Sequence, residues 1–270
     1  GHILGSAMVE FMTPTGSKVV FTGDLGNSPS PLLPDCESIN DATYLVMESV
    51  YGDRNHENRD VRRHLLEDVI EETMKRGGTL MIPTFSIERT QEILFEIENM
   101  MESSRIPLVP VFLDSPLGIK VTAVYKKYQN YFNSGVTSMV RSSDGSIFRF
   151  PQLHMTLSTD ESKAILQANP RKIIIAGSGM STGGRIVHHE KNYLPDPNST
   201  LLLVGYQEAG SLGRILQDGV KTVKIMGEQI TVRARVESIS GYSAHKDSDH
   251  LLEFVRGTAD VVRQVFVCMG

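Results

Sequence analysis

What this sequence is short of narrows the field first. Only two of its 270 residues are cysteine, Cys36 and Cys268. They stand in no metal-type pair, and no secretory apolar segment accompanies them, so a reducing, cytoplasmic setting is expected. No apolar run reaches the roughly 20 residues that a membrane-spanning helix needs, so no membrane partner is expected. Positive charge is not in excess either. Lys and Arg number 27 against 32 Asp and Glu, a formal charge of -5, so any nucleic-acid partner would be held by a local cluster of Arg, Lys and backbone donors rather than by a generally basic surface. There is no internal repeat and no low-complexity segment. The first residue is Gly rather than Met, and an upstream portion of the natural protein is expected. What is present, 40% hydrophobic and 22% charged residues, is ordinary for a soluble globular chain with a sizeable core.

Three patterns follow one another along the chain. Residues 8–12, 18–23 and 42–49 are short β-rich runs separated by the turn formers Thr13-Pro14-Thr15-Gly16 and residues 27–34. From about 57 to 206 the pattern alternates. Val61, Leu65, Val69, Ile70 and Met74 predict one helical face, residues 79–82 a buried strand, and Ile87, Leu94, Ile97 and Met101 a second helical face. Residues 109–113 read as a strand that stops at Asp114, where Ser115 can cap a helix whose first position is Pro116. Strands over 172–176 and 200–205 flank a helical segment around 185–191. Such β-α-β alternation predicts a mainly parallel sheet flanked by helices. From about 221 the chain returns to strands, then a helix over 247–256 and a terminal strand over 265–267.

Four loops follow the middle strands, over residues 83–89, 114–118, 177–185 and 205–214. They are rich in Gly, Ser and Thr and carry Arg89, Arg185 and Arg214. Small residues let backbone N–H groups approach a ligand, and hydroxyls with an Arg at a helix start suit phosphate oxygens. A single Gly-rich turn of this kind occurs in any α/β protein. Several of them on the carboxyl rim of one sheet point instead to an extended phosphodiester. The candidates are Ser86, Arg89, Ser115, Ser178, Gly179, Met180, Arg185, His188, Gln207 and Arg214. His189 beside His188 can equally line a groove or pack. His56, His64, His154 and His250 read as structural or solvated.

A second set of residues is scattered more widely: His2 in Gly1-His2-Ile3-Leu4-Gly5-Ser6-Ala7, Asp24 in Thr22-Gly23-Asp24, Glu48 before Ser49-Val50-Tyr51-Gly52-Asp53-Arg54, and His245 in Ser243-Ala244-His245. Taken singly, His2 would be a terminal residue, Asp24 a turn former, Glu48 a strand end and His245 a residue ahead of a helix. Their joint order resembles the metallo-β-lactamase-fold nucleases with a β-CASP insertion. That group includes the endonuclease subunit of the polyadenylation machinery and related prokaryotic ribonucleases. His2 matches the family's third metal motif, Asp24 its fourth, Glu48 its motif A and His245 its motif B. The stretch Gly177-Ser178-Gly179-Met180-Ser181-Thr182-Gly183-Gly184-Arg185 looks more like the ribonuclease branch than the DNA-repair branch.

The resemblance implies an incomplete metallo-β-lactamase αββα sandwich, residues 1–52 and 242–270, with a β-CASP α/β domain inserted over 53–241. It implies two zinc ions per complete site, held in part by His2 and by a bridging Asp24. His245 would protonate the departing oxygen, with Glu48 orienting its ring. The implied reaction is hydrolysis of single-stranded RNA, expected to be endonucleolytic, to 5′-phosphate and 3′-hydroxyl ends. Two departures are plain. The family's His-x-His-x-Asp-His motif is absent from residues 1–270 and is expected upstream of Gly1, so these residues alone should show little or no cleavage. At motif C, where the family places His before Gly, this chain has Met269, and a thioether is a poor zinc ligand. Cys268 would face the other way along the strand. The alternatives are a catalytically silent RNA-binding scaffold and, third, a DNA nuclease of the same fold. A homodimer is left open.

Overall fold

A computed structural model of the chain describes residues 1–56, 59–142 and 147–269. In chain order the elements are β1 (Val9–Met12), β2 (Lys18–Phe21), β3 (Tyr44–Glu48), α1 (Arg59–Arg76), β4 (Thr79–Pro83), α2 (Arg89–Glu102), β5 (Val111–Leu113), α3 (Pro116–Lys127), α4 (Ser134–Ser142), β6 (Leu153–Met155), α5 (Thr159–Ala164), β7 (Lys172–Ala176), α6 (Ile186–Tyr193), β8 (Thr200–Leu203), α7 (Leu212–Gln217), β9 (Thr222–Ile225), β10 (Glu228–Thr231), β11 (Arg235–Ser238), α8 (Ser248–Arg256) and β12 (Gln264–Cys268). They form two compact units. One takes residues 1–56, 129–141 and the chain from Ser243 onward, the other residues 57–128 and 142–242.

The second unit is built on a six-stranded sheet in the order β11-β8-β4-β7-β5-β6, every pair of it parallel. Parallel strands covered by helices are buried on both faces and so read as unbroken apolar runs. Leu80, Met81 and Ile82 in β4, Ile173, Ile174 and Ile175 in β7, and Leu201, Leu202 and Leu203 in β8 are all buried. The strands therefore share one direction, and the loops that leave β4, β5, β7 and β8 emerge at one edge. β9 and β10 form a separate antiparallel hairpin.

Two helical faces differ from the periodicity reading. α1 buries Arg62, Leu66, Val69, Ile70, Thr73 and Met74, while Val61 and Leu65 are exposed. A shift of one position, with an Arg admitted to the inner face, satisfies the helical period equally well, and apolar character alone does not choose between the two. Ile87 precedes α2 and is exposed. The helix instead buries Ile93, Leu94, Ile97, Met100 and Met101.

The first unit carries a four-stranded sheet, β1-β2-β3-β12, antiparallel between β1 and β2 and parallel elsewhere. One face, with Val20, Leu45, Met47 and Val265, packs on Leu251 and Phe254 of α8. Asp247 caps that helix through the His250 N–H, and residues 251 and 254 fall on its inner stripe. In the segment 129–141, the Asn133 N–H donates to the Leu32 carbonyl at 2.8 Å.

The other face of this sheet is not covered among the described residues. Val9, Phe21, Val46 and Phe266 follow one another in register across its four strands. Val9, Phe11, Phe21 and Phe266 are each between 43 and 55% exposed, and the Phe11 and Phe21 rings meet edge to face at 5.9 Å. A contiguous apolar face of this kind promotes association. Replacing Phe21 and Phe266 together by Ser is expected to lower self-association of the chain, read by light scattering at rising concentration. The same change should move its stability by only about 0.5 kcal/mol, the usual effect of exposed positions.

Candidate metal centre and loop rim

In the first unit, four residues distant in sequence come together. β2 ends at Phe21, and the Thr22 N–H continues the ladder to the Val46 carbonyl at 3.0 Å. Gly23 then turns with φ of +57°, a conformation that L side chains rarely adopt, and the turn presents Asp24. Glu48 lies buried at the end of β3. Its Oε1 accepts the Leu25 N–H at 2.6 Å, and both of its carboxylate oxygens lie 3.1 Å from Nδ1 of His245. The loop bearing His245 is tied back by Asn27 N–H to the Ala244 carbonyl at 2.8 Å and by Lys246 N–H to the Leu25 carbonyl at 2.9 Å.

His2 completes the group, with Nε2 3.5 Å from Oδ2 of Asp24 and its ring centroid 4.5 Å from that of His245. Gly26 makes room for it. A Cβ there would lie 2.2 Å from the carbonyl carbon of Gly1 and 2.6 Å from the nitrogen of His2. Ligand atoms of His2, Asp24 and His245 all fall within 4.8 Å of one another. Since Glu48 engages Nδ1 of His245, the ring nitrogen left for the cluster is Nε2.

Two observations bear on whether these residues fit a metal. Nε2 of His2 and Oδ2 of Asp24 stand 3.5 Å apart, longer than an ordinary hydrogen bond, a spacing that two ligands of one ion can share. Burial, reinforced by the neighbouring His245 and outweighing Asp24, also lowers the His2 imidazole below its usual range. That favours the neutral ring, which is the ligating form. Two imidazoles and a carboxylate form a donor set that suits zinc, so the residues fit that ion. A cavity of about 640 Å³ adjoins Asp24 and is lined also by Glu10, Asp35 and Glu37. Its acidic wall suits a cation better than a polyanion.

Met269 is 63% exposed with φ of +58°, while Cys268 is exposed on β12. His56, expected to be solvated or merely structural, does adjoin the site. Its Nε2 lies 3.1 Å from the His245 carbonyl, its N–H donates to Oδ2 of Asp247 at 3.2 Å, and its ring packs edge-on against Tyr51 at 4.4 Å. The available signal was proximity to the Glu48 motif, only eight residues upstream. His250 pairs with Asp247, Nδ1 to Oδ1 at 2.5 Å, His154 stacks on Phe112 at 5.1 Å, and His64 lies on the exposed side of α1.

In the second unit, the four loops leave one edge of the parallel sheet and touch one another. Oγ atoms of Ser86 and Ser115 are 3.4 Å apart, and Ser115 caps α3 by accepting the Gly118 N–H. The Gly213 N–H donates to the Met180 carbonyl at 3.1 Å. The loop over 177–185 closes on itself, with Thr182 N–H to Oγ of Ser178 at 3.0 Å. Gly184 at φ of +73° permits this closure, since a Cβ there would lie 2.4 Å from the Gly177 carbonyl oxygen. The buried Ser181 hydroxyl donates to Glu190, whose carboxyl burial pushes up to about 7.

Several expected rim residues also brace the loops from within. Arg89 is 5% exposed and paired with Glu92, and Gln207 is 3% exposed with Nε2 donating to the Gly179 carbonyl at 3.0 Å. The Arg185 guanidinium donates to Oδ1 of Asp114 at 2.7 Å and to the carbonyls of Thr156 at 2.9 Å and Leu157 at 2.8 Å. His189 is buried with Nε2 2.7 Å from Oδ2 of Asp114, so it packs rather than lining a groove. An Arg read as phosphate-facing from sequence is equally able to brace a fully buried Asp, and only the fold supplies that Asp. Ser86, Ser178, Met180, His188 and Arg214 keep solvent-accessible surface, although Nε of Arg214 also donates to Asp218 at 2.9 Å.

A parallel, helix-covered sheet with a Gly- and Ser-rich rim, together with a sheet-edge His/Asp/Glu cluster, defines a metallo-hydrolase-like α/β chain. Comparison with known proteins narrows this. The model of the Beta-Casp domain matches residues 90–216, and that of the Zn-dependent metallo-hydrolase RNA specificity domain matches residues 229–266. The chain is 38% identical over 263 residues to the protein named Ribonuclease TTHA0252 of Thermus thermophilus, covering 97% of this chain and 60% of that protein. It is 36% identical over 260 residues to an RNase J-like protein of Methanocaldococcus jannaschii, 95% of this chain and 59% of the other. Against the transcription termination factor FttA of Pyrococcus abyssi the identity is 33% over 265 residues, 94% of this chain and 40% of that factor. The chain thus spans 60% or less of the length of these relatives. It belongs to the metallo-β-lactamase/β-CASP family.

Proposed function

We propose that the protein is a zinc-dependent ribonuclease that cleaves single-stranded RNA endonucleolytically, in the cytoplasm, leaving 5′-phosphate and 3′-hydroxyl ends. The observation that carries this reading is the gathering of residues 2, 24, 48 and 245 into one group of ligand and proton-transfer atoms. Structural packing alone has no need of two imidazoles and a carboxylate whose ligand atoms fall within 4.8 Å of one another. Family membership and the names of the relatives favour RNA over DNA. We read residues 1–52 and 242–270 as parts of the metallo-β-lactamase sandwich and 53–241 as the β-CASP domain. The uncovered apolar face of the four-stranded sheet supports that reading, because a sandwich buries such a face against a second sheet.

His2 and Asp24 would hold the metal, of which a complete site takes two ions. Zinc bound there supplies an acidified water and neutralises charge on the phosphoryl oxygens. Glu48 accepts the Nδ1 proton of His245 and so fixes its tautomer and direction. The protonated His245 then delivers the proton on Nε2 to the departing 3′ oxygen. His56 restrains the backbone of His245 through its carbonyl. On the rim, Ser86, Ser178, Met180, His188 and Arg214 would track the RNA backbone, with partly exposed Arg185 beside them.

The 4.8 Å grouping also favours a second reading, in which His245 is itself a zinc ligand. Zinc titration of the full-length protein separates the two. Asp24→Asn and His2→Ala are each expected to weaken zinc by about tenfold or more, by the scale of lost ligand-shell interactions. His245→Ala should leave zinc affinity within about threefold if the residue is the acid. A loss equal to that of His2→Ala would make it a ligand. Unchanged zinc binding in all three variants would remove the metal site from this cluster.

A further inference from the structure

Phe85 combines two properties that rarely occur together: it is 46% exposed at the carboxyl edge of the six-stranded sheet, yet it is held in place from several sides. The Thr84 N–H donates to the Ala176 carbonyl at 2.9 Å. From the first turn of α2, the Thr90 hydroxyl donates to the Phe85 carbonyl at 2.7 Å and Nε2 of Gln91 to the Ser86 carbonyl at 3.2 Å. The ring itself is braced by Gly179, 94 positions away. A Cβ at 179 would lie 2.9 Å from Cδ2 and 3.0 Å from Cε2 of Phe85, so only glycine lets the backbone of that loop meet the ring edge.

A large apolar ring is normally more favourable buried than exposed. Here well-made hydrogen bonds keep one presented to solvent. On the same rim a Cβ at Gly177 would lie 3.8 Å from both Oγ of Ser86 and Oγ of Ser115, so two hydroxyls gather at Gly177, one of them on the residue that follows Phe85. Gly179 also receives Gln207, through Nε2 to its carbonyl at 3.0 Å. The residue before Gln207 is Tyr206, likewise 46% exposed. Two exposed aromatics thus stand on two loops that both contact Gly179.

We propose that Phe85, with Tyr206 on the neighbouring loop, is a stacking platform for unpaired nucleobases, so that the rim grips single-stranded nucleic acid by its bases as well as its phosphates. The inference rests on the single-stranded RNA reading above and adds a subsite to it. Stacking on an aromatic ring tolerates any base sequence. It needs a base free of its own partners, which a duplex does not offer. A ring already immobilised by Gly179 and by α2 loses little further freedom on binding, which strengthens the contact.

The test is fluorescence anisotropy with this chain, in EDTA to suppress cleavage, using an end-labelled eight-nucleotide oligo(A) and an abasic oligomer of the same length. Phe85→Leu keeps apolar bulk and removes the π-face. Oligo(A) affinity is expected to fall roughly tenfold in this variant, the scale of one lost stacked base, while abasic affinity stays within about twofold. Tyr206→Leu should act in the same direction. Because the chain contains no Trp, Phe85→Trp adds a single indole, whose emission oligo(A) should quench with affinity retained. If the unaltered chain binds oligo(A) and the abasic oligomer equally, or Phe85→Leu weakens both alike, the platform is overturned while phosphodiester binding stands. If it binds neither, both readings fall together.

Discussion

His245→Ala in the full-length protein is expected to lower cleavage of a circular single-stranded RNA by about 10²- to 10⁴-fold, the usual worth of a positioned acid or base. A circular substrate has no ends, so cleavage of it reports endonucleolytic action alone. The effect is large because one ring meets several requirements. Its Nδ1 is fixed by both oxygens of Glu48, its backbone by Asn27, Lys246 and His56, and its remaining nitrogen faces His2 and Asp24. Glu48→Gln retains the shape but exchanges an acceptor-only carboxylate for an amide. It should therefore lower the rate less than His245→Ala. A folded, RNA-binding protein with no cleavage of the circle even before mutation would favour a 5′-exonuclease or a silent scaffold. Cleavage unchanged by His245→Ala would remove that residue from the mechanism.

The largest stability effect is expected at Asp114, a residue outside the chemistry. Its carboxylate is fully buried and receives Arg185, His189, Thr156 and Ser162 at 2.6 to 2.7 Å. Burial alone would raise its pKa, but the donors, led by His189 and then Ser162, hold it well below the usual carboxylate range. Asp114→Ala leaves those donors unpaired and an Arg charge uncompensated, so a loss of about 3–5 kcal/mol is expected, measured by chemical denaturation. Asp114→Asn keeps hydrogen bonds but not charge and should lose less. The pH sign follows from the lowered pKa. The unfolded carboxyl titrates near 4, so the contribution is fully present above that and is lost as pH falls further. Acid titration of Asp114→Asn should lack that part of the decline. An equal decline in both would place the acid sensitivity elsewhere.

Much of this was legible along the chain because it is local. β4, β7 and β8 are unbroken apolar runs, which a sheet covered on both faces requires. Ser115 and Pro116 announced the start of α3 at the observed residue. The family was legible from the order of four short motifs, and its α/β fold with a parallel, helix-flanked sheet followed. Side-chain direction was not legible. Arg89, Arg185 and Gln207 carry phosphate-binding chemistry in phosphate-binding loops, yet their partners are Glu92, Asp114 and the Gly179 carbonyl. Val61 and Leu65 looked like core until Arg62 took the inner stripe, with Nη1 donating to the Gly241 carbonyl at 2.5 Å. His56 read as structural or solvated because the backbone carbonyl it meets lies 189 positions away.

By itself the sequence determined the apolar strands β4, β7 and β8, the start of α3, the family and the identities of the polar residues, since each depends on neighbours a few positions apart or on motif order. The tertiary structure decided which polar groups remain available. Hydrogen-bond capacity is finite, and a buried donor or acceptor takes whatever partner the fold brings to it. His2, Asp24 and His245 are left with ligand atoms within 4.8 Å of one another, Arg185 is drawn onto Asp114, and Phe85 is braced outward by a glycine from a distant loop.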